Sequence, residues 1–135
     1  MKLGYDKVIF GTTINDSATI AEVAGADIEN GAGKAVKYDD NGNVVLAGGG
    51  ELIAGVLLVQ ERTPVEKGDS VTVQIRYSAK VLAGGPVKKG EAVAVSADGT
   101  FVKATSGQYI AGYAITPASE AKKYFVIDLV RGAKA

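Results

Sequence analysis

The chain has 135 residues, enough for one domain or for two very small ones that share a core. It is 47% hydrophobic and 22% charged, as folded proteins are, and its 15 basic residues balance its 15 acidic ones. The lack of His and Cys excludes imidazole catalysis, thiol chemistry, disulfides and zinc sites built on these residues. The zero net charge argues against recruitment of nucleic acid or of an anionic membrane.

The first 18 residues form an N-terminal arm that stands outside the regular pattern of the chain. The arm lacks the continuous apolar core of a signal peptide, and no later apolar run approaches the ~18 residues of a membrane span, so we expect synthesis in a cytosol and no membrane partner. It is nevertheless apolar, and we expect it either to add a strand to the first unit or to dock on a partner. The candidate contact residues are Leu3, Tyr5, Val8, Ile9 and Phe10.

The segment "SATIAEVAGA" (17–26) is the one candidate helix. Ser17 could serve as its N-cap. A strand is the alternative, because Val23 aligns with Val81 of the later segment "KVLAGG".

The main feature of the sequence is an internal repeat. The stretch "AVKYDDNGNVVLAGGGELIAGVLLV" (35–59) aligns without a gap with "AVAVSADGTFVKATSGQYIAGYAIT" (92–116), and nine of the 25 positions are identical. The shared triplet "IAG" places Ile53 opposite Ile110, and each Ile should point into the core of its own unit. The repeat predicts two similar units, residues 19–77 and 78–135, or one domain into which both are fused.

Within each unit the pattern is that of β-structure. Val71, Val73, Ile75 and Tyr77 alternate with polar residues, which is the period-2 pattern of a strand with one buried face. The dipeptides Asn-Gly at 41–42 and Asp-Gly at 98–99 predict tight hairpin turns. Glycine recurs at matching positions of the repeat, where we expect turns, bends or close approach of the backbone: Gly42, Gly50, Gly55, Gly99, Gly107 and Gly112. We therefore predict an all-β protein of two small barrel-like or sandwich-like units, preceded by an extended arm.

No motif carries catalytic chemistry. The segment "KYDDNGNV" (37–44) resembles a calcium loop, but Lys37 and Gly48 stand where the first and last carboxylates belong. The glycine-rich "VLAGGGE" (45–51) lacks the Gly-Lys-Ser/Thr ending of a phosphate loop. Acidic pairs such as Asp39 and Asp40 lie in polar turns. We therefore expect no catalytic residue, no cofactor, no metal ion and no enzymatic activity.

A stretch of 44 residues near the C-terminus, "VKKGEAVAVSADGTFVKATSGQYIAGYAITPASEAKKYFVIDLV" (87–130), resembles bacteriophage capsid decoration proteins, which are also called cement or head-fibre proteins. The family pattern begins with a turn of the form V-x-K-G-(D/E)-x-V, matched by residues 87–93. It continues with "DG" at 98–99, V-x-A-x-x-G at 102–107, I-x-G-x-A at 110–114 and an alternating last strand at 125–130. The resemblance is weaker over the first unit.

This resemblance implies a β-rich structural protein on the outer surface of the phage head, commonly a homotrimer. Its partner would be the major capsid protein, whose lattice it stabilises. The alternative function is a virion-displayed binding module, the base of a head fibre, for a glycan or protein of the host surface. An exposed tyrosine cluster on one set of loops would favour that alternative.

Overall fold

The computed structural model describes residues 17–58 and 64–135. Both segments contain β-strands and turns but no helix. The strands are β1 (Thr19–Val23), β2 (Ala35–Tyr38), β3 (Val44–Leu46), β4 (Gly55–Leu57), β5 (Ser70–Gln74), β6 (Ser78–Leu82), β7 (Ala92–Val95), β8 (Phe101–Lys103), β9 (Gly112–Ala114) and β10 (Tyr124–Leu129). The all-β prediction is confirmed.

The strands form two five-stranded antiparallel sheets with corresponding strand orders. The first is β1-β5-β4-β2-β3 and the second is β6-β10-β9-β7-β8. In each sheet a parallel bridge joins the end of the first strand to the third, Ala24 to Val44 and Ala83 to Phe101. Because these strands are the two edges of the sheet, each sheet curls into a small barrel. We call the barrels unit one and unit two.

The segment 17–26 is a strand, and its alignment with unit two differs from the sequence prediction by one residue. Glu22 pairs with Val71, and Val81 pairs with Phe125. Val71 and Phe125 are equivalent in the repeat, so Glu22 occupies the place of Val81, and Val23 corresponds to Leu82. Val23 therefore lies on the exposed side of the sheet, where a strand with one buried face can carry an apolar residue without adding to the core.

The two barrel interiors are filled at eight equivalent positions, six of which carry different residues. Unit one buries Ala24, Ile28, Val36, Val44, Leu57, Val65, Val71 and Val73. Unit two has Ala83, Val87, Val93, Phe101, Ala114, Ala118, Phe125 and Ile127 in the same places. Phe101 and Phe125 replace the smaller Val44 and Val71 of unit one. At two other positions, Ala114 and Ala118 replace the larger Leu57 and Val65. Large and small side chains therefore balance, as close packing of a fixed interior volume requires.

The tight turns predicted at the two X-Gly pairs are three-residue hairpin loops. The Asp39 amide donates to the Asn43 carbonyl, and the Gly42 amide donates to the Asp39 carbonyl. The side-chain oxygen Oδ1 of Asp39 also accepts from the Asn41 and Asn43 amides, at 2.9 Å each. Gly42 closes the loop at φ 78°, a conformation that a side chain disfavours.

The strand ends at Gln74, and the predicted alternation continues to Ile75, which packs partly buried against the core of unit one. Val71 and Val73 are buried, whereas Tyr77 is exposed and has a φ of 68° in the turn between β5 and β6. This turn marks the passage from unit one to unit two. The Gln74 side chain bridges it by donating to the carbonyls of Arg76 and Ser78, at 3.0 and 2.7 Å.

The units meet in one joint that is part of the larger core. The joining face of unit one consists of Gly33, Ala35, Ala47, Gly50, Ile53 and Val56. The receiving face of unit two consists of Leu82, Val95, Gly99, Gln108 and Tyr109. Backbone hydrogen bonds cross between these faces, from Ala35 N to Gly99 O at 2.8 Å and from Gly50 N to Val95 O at 2.8 Å.

Ile53 differs from its expected place. It is buried, but in the cluster that contains the interior of unit two and that also includes Ala35, Ala47 and Val56. It therefore contributes to the joint and not to the separate core of unit one.

Candidate functional site

A groove of about 650 Å³ opens beside the joint. It is lined by Lys37 and Tyr38 of β2, Glu51, Leu52, Ile53 and Ala54 of the β3–β4 loop, Tyr109 of the β8–β9 loop and Arg131 after β10. The groove exists only because the two units pack together, since unit one supplies one wall and unit two the other.

Arg131 connects the two walls. Its Nη1 donates to the carbonyl of Ala54 and, at 3.4 Å, to the carbonyl of Ile53. These carbonyls stand in the loop before β4 and are not used by a strand ladder. A charged donor on neutral acceptors gives a stronger hydrogen bond than a neutral pair. Arg131 therefore holds the β3–β4 loop of unit one against unit two.

A charged pair lies on the unit-one wall. Lys37 Nζ lies 2.5 Å from Glu51 Oε2, and the other carboxylate oxygen of Glu51 accepts from the Gly48 amide at 2.7 Å. The Lys37 hydrogen bond is the main reason that the pKa of Glu51 is below its usual value. Both side chains are about one-third exposed or more, so the pair orients the wall more than it stabilises the fold.

The groove is otherwise apolar and aromatic. Leu52 and Tyr38 are each half exposed. The Tyr38 hydroxyl donates to Glu22 Oε1 at 3.1 Å, and burial together with this acidic neighbour raises the pKa of Tyr38. Lys134 Nζ lies 4.8 Å from the ring centre of Tyr109. Such a surface can hold a protein segment through apolar contact and hydrogen bonds, but it offers no acid–base pair with a reacting position between its members.

The structure places the six repeat glycines in turns and at close approaches. Gly42, Gly50, Gly99 and Gly107 have φ values between 72° and 88°. An added Cβ at Gly55 would lie 2.3 Å from the Gln74 carbonyl oxygen, and one at Gly112 would lie 2.1 Å from that of Asp128. All six glycines thus meet requirements of backbone conformation or close packing, and none lines the groove.

The predicted capsid-contact residues lie outside the described residues: Leu3, Tyr5, Val8, Ile9 and Phe10. The sequence did not indicate the groove, because Lys37, Glu51 and Arg131 are far apart along the chain and belong to no motif. The exposed tyrosines 38, 77, 113 and 124 lie on different elements and do not form one cluster of loops. Among residues 17–58 and 64–135 no group of three His, Cys, Asp or Glu could hold a metal ion. In the same ranges no helix is long and apolar enough to cross a membrane.

The fold is that of a β-protein of two similar units with a groove beside their joint. A protein family described as structural cement protein (E217 gp24/Pam3 gp6) matches residues 6–130 of the chain. This match covers nearly the whole sequence, and the chain belongs to this family of phage structural proteins.

Among solved structures, the N base of head fiber gp8.5 of bacteriophage phi29 has a similar fold. The TM-score is 0.65 at 21% sequence identity, and the match covers 83% of this chain and 92% of that one. No curated protein matches the chain at a significant level. The resemblance to capsid decoration proteins found in the sequence is confirmed by the family match.

Proposed function

We propose that the protein binds the outer surface of an assembled phage head and stabilises the lattice of the major capsid protein there. The observation that carries this proposal is the family match over residues 6–130. The groove and the hydrogen-bonded joint between the two units support it. The protein acts by contact alone, without catalysis, a cofactor or a metal ion.

Multivalent attachment makes such a role physically effective. A head presents many copies of one surface, so a homotrimer can engage several neighbouring subunits at once. The second and third contacts then form at a high effective concentration, and modest single contacts add up to tight binding. We propose the homotrimer as the form that binds the head.

We assign the first contact to the N-terminal arm. Its apolar residues, Leu3, Tyr5, Val8, Ile9 and Phe10, would lie across the boundary between capsid subunits. An extended apolar segment buries much of its surface on a partner, so each side chain adds to the affinity.

Co-sedimentation with heads that lack the protein tests this function. We expect the full chain to bind such heads and to raise the temperature or chelator concentration at which they open. A chain without residues 1–13 should keep its folded β-spectrum and lose head binding. Full binding by the truncated chain would refute the role of the arm, and failure of the full chain to bind or stabilise heads would refute the function.

A further inference from the structure

The side of unit two that faces away from its barrel interior is apolar. Along β10 and into the residue that follows it, buried and outward-facing side chains alternate, and Tyr124, Val126 and Val130 face outward. On the neighbouring β9, Tyr113 faces outward, and the exposed Ile115 follows one residue after the strand ends at Ala114. Four of these residues are 41% to 52% exposed, and Val126 is half-buried. We call the five residues the outer face of unit two: Tyr113, Ile115, Tyr124, Val126 and Val130.

The five side chains form one surface. Residues that lie opposite one another on neighbouring antiparallel strands have their side chains on the same face of the sheet. Tyr113 lies opposite Asp128, and the Ile115 amide donates to the Val126 carbonyl at 2.8 Å. The two β9 residues therefore flank the outward-facing residues of β10, and Asp128 is the only charged group between them.

The fold does not require this apolar surface, because unit one closes the same barrel without it. In the repeat, the places of the three outward-facing residues at 124, 126 and 130 are taken in unit one by polar residues: Ser70, Thr72 and Arg76. Ser70 and Thr72 are exposed and β5 still pairs with strands on both sides. Contiguous exposed apolar residues that the fold does not need indicate an interaction surface.

One end of the outer face carries a positive charge beside a cavity. Lys80 of β6 pairs with Val126, and its Nζ lies 5.2 Å from the ring centre of Tyr124. Among residues 17–58 and 64–135, Lys80 forms no ion pair with a carboxylate. Lys80 and Tyr124 also line a cavity of about 300 Å³ whose far wall is Leu57 and Leu58 of unit one. An apolar cavity next to an available ammonium group is complementary to an apolar side chain with a carboxylate beside it.

The size of the outer face favours a partner that presents many copies of one surface. Three strands and the outward-facing residues of β10 span roughly 14 Å by 20 Å, or about 300 Å². A stable contact between two free proteins buries about 800 Å² on each partner. A smaller contact is effective on a repeating lattice, because each attachment raises the effective concentration for the next one.

We propose that the outer face of unit two is a capsid contact, additional to the arm, and that it binds an apolar segment of the major capsid protein that carries a carboxylate opposite Lys80. An apolar side chain of that segment enters the cavity beside Tyr124. This inference rests on the proposed function and names a surface that performs it. The arm is a separate contact, so the proposed function can stand where this inference fails.

Giving the outer face the residues of unit one tests the contact. The variant Tyr124→Ser/Val126→Thr/Val130→Arg carries side chains that unit one accommodates at the same places, so we expect it to fold. With its arm intact, it should bind heads that lack the protein at least tenfold more weakly than the wild-type chain in co-sedimentation. Light scattering should give the wild-type mass in solution, because the outer face does not join free copies.

Two further variants test the face at other points. Ile115→Glu should weaken head binding to the same extent. Because Ile115 does not line the cavity beside unit one, this variant decides the matter if the triple variant does not fold. Lys80→Glu should also weaken head binding at least tenfold, since it places a carboxylate opposite the carboxylate of the partner.

Matched controls exist for both kinds of change. Val23→Thr/Thr72→Ser alters two exposed residues on the equivalent face of unit one and should leave head binding within twofold of wild type. Lys89→Glu reverses a charge in the exposed turn before β7, away from the outer face, and should also leave binding within twofold.

Four outcomes would overturn the inference. One is head binding at the wild-type level by the folded triple variant or by Ile115→Glu, which would leave the proposed function intact. Another is an equal effect of Lys80→Glu and Lys89→Glu. A third is a changed mass of the triple variant in solution, which would make the face a contact between copies. The last is faster iodination of Tyr113 on removal of residues 1–16, which would show that the arm covers the face. Failure of the wild-type chain to bind heads would instead refute the proposed function, and this contact with it.

Discussion

The close approach of the backbone at Gly112 permits a decisive test of the packing of unit two. Gly112 lies in β9 opposite Leu129 of β10. The Cβ of an Ala would lie 2.1 Å from the Asp128 carbonyl oxygen and 3.0 Å from the Asp128 carbonyl carbon. These atoms are backbone and cannot rotate away, so β10 must move by roughly 1 Å or β9 must leave the ladder.

The Gly112→Ala change should destabilise the protein by about 2 kcal/mol. Forced overpacking of a tight site costs about 1–3 kcal/mol. The site lies at the upper end of this range because the strand bonds on both sides must distort. Ala also lowers the conformational entropy of the unfolded chain, which offsets about 0.5–1 kcal/mol of this loss of stability. Over 135 residues this net loss lowers the melting temperature by roughly 7 °C.

Two other glycines separate the possible causes. Gly49 has nothing within 4 Å of its Cβ position and no positive φ, so Gly49→Ala should leave the stability within about 0.5 kcal/mol of wild type. Gly42 also has open space but a φ of 78°, so Gly42→Ala should cost about 1 kcal/mol through backbone strain alone. Urea unfolding followed by circular dichroism measures all three. Equal stability of the Gly112→Ala and Gly49→Ala proteins would refute the clash.

Three further changes test the turn, the joint and the core. The hydroxyls of Ser96 and Thr100 donate to the Asp98 carboxylate and lower its pKa from the usual 3.8 to about 2. The ionised carboxylate therefore stabilises the fold fully above about pH 4. This stabilisation is lost as the pH falls through 2. Asp98→Asn should therefore lower the free energy of unfolding by about 1 kcal/mol at pH 7, because solvent at the exposed turn screens the charge, and by almost nothing at pH 2. Urea titrations at the two pH values measure both costs, and an equal cost at both would contradict this account. Arg131→Ala should cost about 1 kcal/mol by releasing the Ile53 and Ala54 carbonyls, with faster hydrogen exchange in the β3–β4 loop, and unchanged exchange there would count against it. Phe101→Val should lower the free energy of unfolding by about 2–4 kcal/mol, because it leaves a cavity in the barrel. The loss should be smaller when Ala114→Leu adds volume to the same barrel. Full additivity of the two changes in denaturant unfolding would argue against a shared interior.

The local β-structure followed from the sequence because its causes are local. Asn-Gly and Asp-Gly each stand between apolar runs, and Gly42 and Gly99 close equivalent hairpin loops. The alternating Val71 and Val73 bury one face of a strand, as their spacing requires. The family pattern over residues 87–130 gave the structural class by the same means, since it consists of turns and strands.

The segment 17–26 was undecided in the sequence because its periodicity suits either a helix or a strand. Pairing with β5 determines the outcome: each residue from Thr19 to Val23 meets a partner in β5, and the strand bonds outweigh the helical propensity of a segment of only ten residues. The same pairing sets the register that places Glu22, and not Val23, in the position of Val81.

The sequence by itself determined that this protein has two similar β units, because repeated turn glycines and alternating strands act within each unit. Only the tertiary structure decided how the units meet. Val56 and Tyr113 occupy equivalent places in the repeat, yet one is buried in the joint and the other is exposed. A repeat describes what the units share, whereas the joint uses the joining face of unit one and the receiving face of unit two. The groove beside that joint, with Arg131 holding the Ile53 and Ala54 carbonyls, therefore arises from packing and has no signature in the chain.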